Sequence, residues 1–190
     1  MKLKDCTKCK LQFTRTQVVL GKGSIKAKVM FVGEAPGKHE DEKGKPFCGM
    51  AGNVLDDRIL KVLKLNRKKI WVTNSVKCRP PNNRKPNNIE VDKCIPWLRK
   101  EINIIKPKII ICLGKTAEST IRTYFKVTGR YSSDANESYD LYYIKKIKCH
   151  VYFMLHPASI LYSSMAGEKL DLQVEQLKEW FAIADIKNIV

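Results

Sequence analysis

Residues 28–37 read KVMFVGEAPG, a short apolar run that ends in glycine, acid, alanine, proline and glycine. Such a run, closed by glycine and proline, reads as a buried strand feeding a sharp loop. The pattern recurs outward from it. Residues 50–65 carry Val54, Leu55, Ile59, Leu60 and Leu63 at helical spacing. Residues 70–74 (IWVTN) read as a second strand, followed at 79–88 by a loop rich in Pro, Asn and Arg. A helix is expected at 89–105, with Cys94, Leu98 and Ile102 at i, i+4 and i+8, and Pro96 within it either kinks the helix or marks a late start. Residues 108–113 (KIIICL) form a further strand, and Gly114 turns the chain into a helix at 115–125. The polar stretch 126–140 reads as a loop, 141–147 and 149–155 as two strands, and 171–184 as an amphipathic helix.

Strands alternating with helices predict an α/β fold: a three-layer sandwich with a central, mainly parallel four-stranded sheet flanked by helices. The 190 residues suit a single domain over 1–190. Ligand sites in such folds lie beyond the C-terminal strand ends. The loop 33–37, Asn74 and His156 all fall on that rim.

Lys and Arg number 36 against 19 Asp and Glu, a formal net charge of +17. That excess points to an anionic partner, of which a phosphate backbone is the commonest. A lysine-rich solvated surface of thermophilic character is the plainer explanation. The lysines are spread along the chain and do not mark one face. No run approaches the roughly 18–20 apolar residues of a membrane span, and the N-terminal MKLKDCTKCK lacks the apolar core of a signal peptide. A cytoplasmic protein, monomeric and without membrane contact, is expected.

Seven cysteines, an odd number, argue against a disulfide framework and favour metal ligation. Cys6 and Cys9 form a close pair in a polar terminal segment, and Cys78 and Cys94 form a wide one. A zinc ribbon would show close pairs at both ends. Four thiolates from three segments suit a [4Fe–4S] cube, although zinc also accepts four thiolates. Cys112 and Cys149 read as core, and Cys48 as pocket wall without a ligand role.

Together the segments GEAPG (33–37), ED…GKPFCGMAG (40–52), TNSVKCRPPNNRKP (73–86), the Cys94 helix, PKIIICLGKTA (107–117) and LHPASIL (155–161) resemble the family 4, iron–sulfur uracil-DNA glycosylases. The resemblance implies a DNA repair enzyme that flips uracil from DNA and hydrolyses its N-glycosidic bond, leaving an abasic site. It implies a [4Fe–4S] cluster on Cys6, Cys9, Cys78 and Cys94, uracil-containing DNA as partner, and a nucleoid-associated cytoplasmic setting. His156 would face uracil O2, Asn74 would pair with O4 and N3–H, and Phe47 would stack on the ring. Glu34 would position the water or favour the sugar cation, and Glu40 would lie near C5 and exclude the thymine methyl. The backbone of Gly33 to Ala35 would close the pocket floor. Sister families with a GQDPY-type motif carry an Asp where this chain has Ala35, so that base has no direct equivalent here.

By the same resemblance, Arg79, Arg84 and Lys85 would meet phosphates, and Ile160 or Leu161 would wedge into the gap left by the flipped base. Relatives often read Leu-Leu-Arg there; this chain has Ile160-Leu161-Tyr162, and Tyr162 could stack instead. One branch traps uracil-DNA covalently through a histidine in a KRRIH-like insertion, which the segment RPPNNRKPN lacks. The tail 182–190 either docks a partner or finishes the core, and a replication clamp is a candidate partner of the protein. The competing reading is a non-catalytic iron–sulfur or zinc DNA-binding accessory protein on the same fold. An enzyme of free nucleotides is disfavoured, since neither GxxxxGK[ST] nor GxGxxG follows a strand.

Overall fold

The computed structural model describes residues 3–131 and 141–183. In chain order its elements are β1 (Lys22–Gly23), β2 (Val29–Gly33), α1 (Lys38–Lys43) and α2 (Met50–Val54), which continues into a π-helical segment, Leu55–Leu60. Then come β3 (Trp71–Asn74), α3 (Asn88–Ile105), β4 (Ile109–Leu113), α4 (Lys115–Phe125), β5 (Thr128–Tyr131), β6 (Leu141–Ile144) and β7 (Cys149–Met154). A 3-10 turn, Pro157–Leu161, leads to α5 (Ser164–Ile183).

One mixed sheet of seven strands runs in the order β1-β3-β2-β4-β7-β6-β5. The four strands β3, β2, β4 and β7 pair in parallel, whereas β1, β6 and β5 add on antiparallel. The expected four-stranded sheet is therefore its parallel centre, and the complete sheet is larger. The miss has a physical cause. Parallel strands covered on both faces must be apolar along their length, as VMFVG and IIICL are. The edge strand β5 lies in a stretch read as a loop, because an antiparallel edge carries no such demand. β1 is only two residues long.

Alternation along the central strands sorts the core. Phe31, Ile109, Ile111 and Tyr152 join Leu55, Ile59, Leu170 and Leu177 on one face. Met30, Val32, Ile110, Val151 and Cys112 join Leu98, Ile102 and Ile121 on the other. Thus α2, its π extension and α5 cover one side, and α3 and α4 the other. Cys112 and Cys149 are fully buried core residues.

Helix α3 starts at Asn88, so Pro96 marks no late start, and the helix runs through it as one element. The start is set by a capping box. The Asn87 side chain accepts from Glu90 N at 2.9 Å, and the Glu90 carboxylate accepts from Asn87 N at 2.9 Å. Helix α5 begins seven residues ahead of the expected 171. Because the central strands are parallel, Gly33, Asn74, Leu113 and Met154 end on one rim, and the following loops meet there.

Candidate active site

The register of β2 on β3 sets Gly33 beside Asn74. A Cβ on Gly33 would lie 2.4 Å from Asn74 Oδ1 and 2.6 Å from Phe47 Cζ, so only glycine lets these two side chains close over the strand end. Asn74 is 3% exposed, and its side-chain amide has no hydrogen-bond partner among the described residues. Although the residue is nearly enclosed, its amide atoms are not among the buried unsatisfied ones, so donor and acceptor stay open to a ligand at the rim. The segment behind it is stitched to the first loop. Ser75 N and Oγ donate to Gly33 O at 2.8 and 2.9 Å, and Val76 N donates to Glu34 O at 3.0 Å.

Phe47 is buried and adopts a left-handed backbone, φ 51°. Arg67 holds it there: Nη2 donates to Phe47 O at 2.9 Å and to Gly52 O at 3.2 Å, while Nε donates to Asp56 Oδ1 at 2.5 Å. Sequence reasoning missed Arg67, which sits in a charged turn resembling any solvated surface. The Phe47 and His156 rings lie 5.8 Å apart between centroids, inclined by 32°.

His156 follows β7 and caps the 3-10 turn Pro157–Leu161. Its Nδ1 accepts from Ala158 N at 3.1 Å. That bond assigns Nδ1 as the acceptor, so the neutral ring carries its proton on Nε2. Burial pushes its pKa below the ordinary histidine value, against the opposing pull of Glu34 and Glu40. The imidazole is therefore neutral at pH 7 with Nε2–H as its donor.

Glu34 is half-buried, and its Oε2 accepts a hydrogen bond from the Thr116 hydroxyl. Thr116 sits in the first turn of α4, where the helix dipole favours a carboxylate. Thr116 lies in the GKTA motif and was legible as motif but not as a Glu34 partner. Glu40 is engaged by three backbone amides: Gly37 N at 3.1 Å, Cys48 N at 3.2 Å and Gly49 N at 3.1 Å. It clips the two loops of the rim together. Ala35 is partly buried and packs against the core on the α3 side.

The DNA-facing candidates divide by their partners. Arg79 Nε donates to Asn83 Oδ1 at 2.7 Å. Arg84 makes a two-pronged pair with Glu90, at 2.9 and 2.7 Å, and holds that carboxyl below its usual range. Lys85 is exposed. Ile160 packs inward against the core, whereas Leu161 is 41% and Tyr162 84% exposed.

Cys6, Cys9, Cys78 and Cys94 line one small cavity, together with Arg15 and Trp97. Arg15 Nη1 donates to Cys78 Sγ at 3.0 Å, and Lys77 N to Cys94 Sγ at 3.3 Å. Among the described residues no three His, Cys, Asp or Glu side chains are close enough to hold a single metal ion. Four thiols around one space are the donor set that a four-cysteine metal centre requires. Trp97 lines this cavity, and its buried indole N–H has no partner among the described residues. Burial pushes the Cys94 thiol up to about 12 and raises Cys78 against the pull of Arg15. Arg15 was not anticipated from sequence.

The sequence that builds this α/β sheet, its rim residues and the four-thiol cavity matches known proteins. The model of the Uracil DNA glycosylase superfamily matches residues 20–181. The chain is 42% identical to the type-4 uracil-DNA glycosylase of Sulfurisphaera tokodaii, over 92% of this chain and 80% of that relative. It is 38% identical to those of Saccharolobus solfataricus and Archaeoglobus fulgidus, over 93% and 92% of this chain and 82% and 87% of the relatives. The chain belongs to the type-4 uracil-DNA glycosylases.

Proposed function

We propose that this protein flips uracil out of DNA and hydrolyses its N-glycosidic bond, leaving an abasic site. The observation that carries the reading is the Asn74 amide, which makes no hydrogen bond among the described residues and lies beside Phe47 at the strand end. Its donor and acceptor complement uracil O4 and N3–H, while cytosine presents the reverse pattern and would leave the amide unpaired. Phe47 stacks on the base. His156 donates Nε2–H to O2 as negative charge gathers there, and it does so as a neutral, pre-aligned donor. Glu34, oriented by Thr116, positions the water or favours the sugar cation from a rim where Ala35 offers no carboxylate. Glu40 fixes the loop at 47–49, the wall that would meet a 5-methyl group. The Gly33–Ala35 backbone closes the floor.

Arg79, Arg84 and Lys85 take phosphates. Arg84 does so at the cost of sharing its guanidinium with Glu90. Of the wedge pair, Leu161 is outward and Ile160 anchors the turn. Among the described residues no helix is long and apolar enough to cross a membrane. The proposed setting is the cytoplasm, at the nucleoid, as a monomer. The tail 182–190, read as a partner-docking or core-finishing segment, lies almost wholly outside the described residues.

The proposed cofactor is a [4Fe–4S] cluster held by Cys6, Cys9, Cys78 and Cys94, which would cross-link the N-terminal segment, the turn after β3 and α3. Protein purified without oxygen is expected to be brown with broad visible absorption; a colourless protein would point to zinc instead. Cys78→Ala is expected to weaken stability and DNA affinity by more than it slows the chemical step. A variant that folds and binds DNA normally but does not turn over would contradict that.

The activity is tested with a uracil-containing oligonucleotide, incubated with protein and then treated with alkali. Scission at the uracil is expected. Intact strands bound by the protein would favour the non-catalytic DNA-binding reading.

A further inference from the structure

Among the described residues Lys77 is the one buried lysine, with 0% of its surface exposed. Its Nζ donates to Thr73 Oγ1 at 2.6 Å, to the Asn74 main-chain carbonyl at 2.7 Å and to Glu101 Oε2 at 2.7 Å. Three protons meet three acceptors, and the ammonium is saturated. The counter-ion is itself fixed. Glu101 Oε2 also accepts from the Thr73 hydroxyl at 2.8 Å, and Oε1 accepts from Gly21 N at 3.2 Å. The main chain of Lys77 faces the other way. Its N–H donates to Cys94 Sγ at 3.3 Å, and its carbonyl accepts from Val19 N at 2.8 Å.

Burying an ammonium is costly, and apolar residues would fill the same space at no such cost. What an apolar residue could not do is grip the Asn74 carbonyl. That carbonyl belongs to the residue whose amide faces the pocket, so the grip sets the backbone from which the amide projects.

We infer that Lys77 is a positioning residue: it holds the backbone of Asn74 in the base-reading setting and ties that setting to the four-cysteine centre through Cys94. The inference rests on the proposed role of Asn74 in pairing with uracil. One residue thereby spans both sites, with its amide on a thiol sulfur and its ammonium on the base reader. The thiol centre then supports recognition of the base as well as the fold of the DNA-facing loops.

The test uses the intact holoprotein and two readouts: inhibition by free uracil, which engages Asn74, and affinity for DNA carrying an abasic-site analogue, which does not. In K77M/E101M the ion pair is replaced by apolar side chains that restore packing. This variant is expected to keep the visible spectrum and the abasic-DNA affinity while the uracil Ki rises about tenfold, the scale of one hydrogen bond from a charged group. K77Q, a milder change, is expected to raise Ki in the same direction. E101Q leaves the Asn74 grip in place; it is expected to lower Tm yet leave Ki within about twofold. An unchanged Ki in both Lys77 variants, or an equal rise in E101Q, would overturn the inference, since Lys77 would then serve stability alone. N74A separates the two levels: it is expected to abolish uracil inhibition. Failure to do so would remove the assigned role of Asn74, and the inference about Lys77 with it.

Discussion

Asn74→Ala is expected to lower kcat/KM on uracil-containing DNA by about a thousandfold, with affinity for abasic-analogue DNA nearly unchanged. In the proposed reading the amide makes two hydrogen bonds to the flipped base, each worth about 2 kcal/mol. Their joint loss corresponds to roughly three powers of ten. The substitution leaves the fold in place, because the Asn74 side chain has no partner among the described residues and its main-chain carbonyl keeps the Lys77 bond. Steady-state kinetics alongside a thermal melt make the comparison. A loss under about tenfold would mean that another group reads the base.

His156→Ala is expected to lower kcat by about a hundredfold to a thousandfold, the range found when one preorganised donor to a developing anion is removed. Substrate affinity should change little, since the bond strengthens only as the base departs. The pH profile carries a second signature. Burial depresses the His156 pKa, so the neutral ring is retained as pH falls below the ordinary histidine value. Protonation would place a hydrogen on Nδ1, against the Ala158 N–H that now donates to it, and break the cap of the following turn. In the wild type, kcat/KM should therefore rise with pH through a midpoint below 6.5, the ordinary histidine value, and then level off. His156→Ala should lose that step. A midpoint above 6.5, or a step that survives the substitution, would contradict the assignment.

The parallel centre of the sheet was legible because VMFVG and IIICL must be apolar on both faces. The rim site was legible for the same reason: parallel strands deliver their following loops to one edge, so Gly33, Asn74 and His156 had to be neighbours. β5 was not legible, since an antiparallel edge strand needs no continuous apolar run. Nor was α1, whose KHEDEK is entirely polar and is ended by Gly44 at φ 64°. Among the site residues, the seen and the missed differ by chemistry. His156 stands beside a proline, and Asn74 closes an apolar strand run, so each is marked in the sequence. Lys77, Glu101, Arg67 and Arg15 are charged residues in a chain crowded with charge, and only tertiary packing separates a buried, saturated ammonium from a solvated one. The division of labour between Ile160 and Leu161 was equally hidden, because it depends on which side chain α2 and α5 leave room for.

The convergence of Asn74, Phe47, His156 and Glu34 on one extruded base is tested most directly by a crystal structure of the protein with free uracil bound. The expected density shows the ring stacked on Phe47, O4 and N3–H paired with the Asn74 amide, and O2 within hydrogen-bond distance of His156 Nε2. Uracil bound elsewhere, with Asn74 and His156 touching no part of it, would contradict the account.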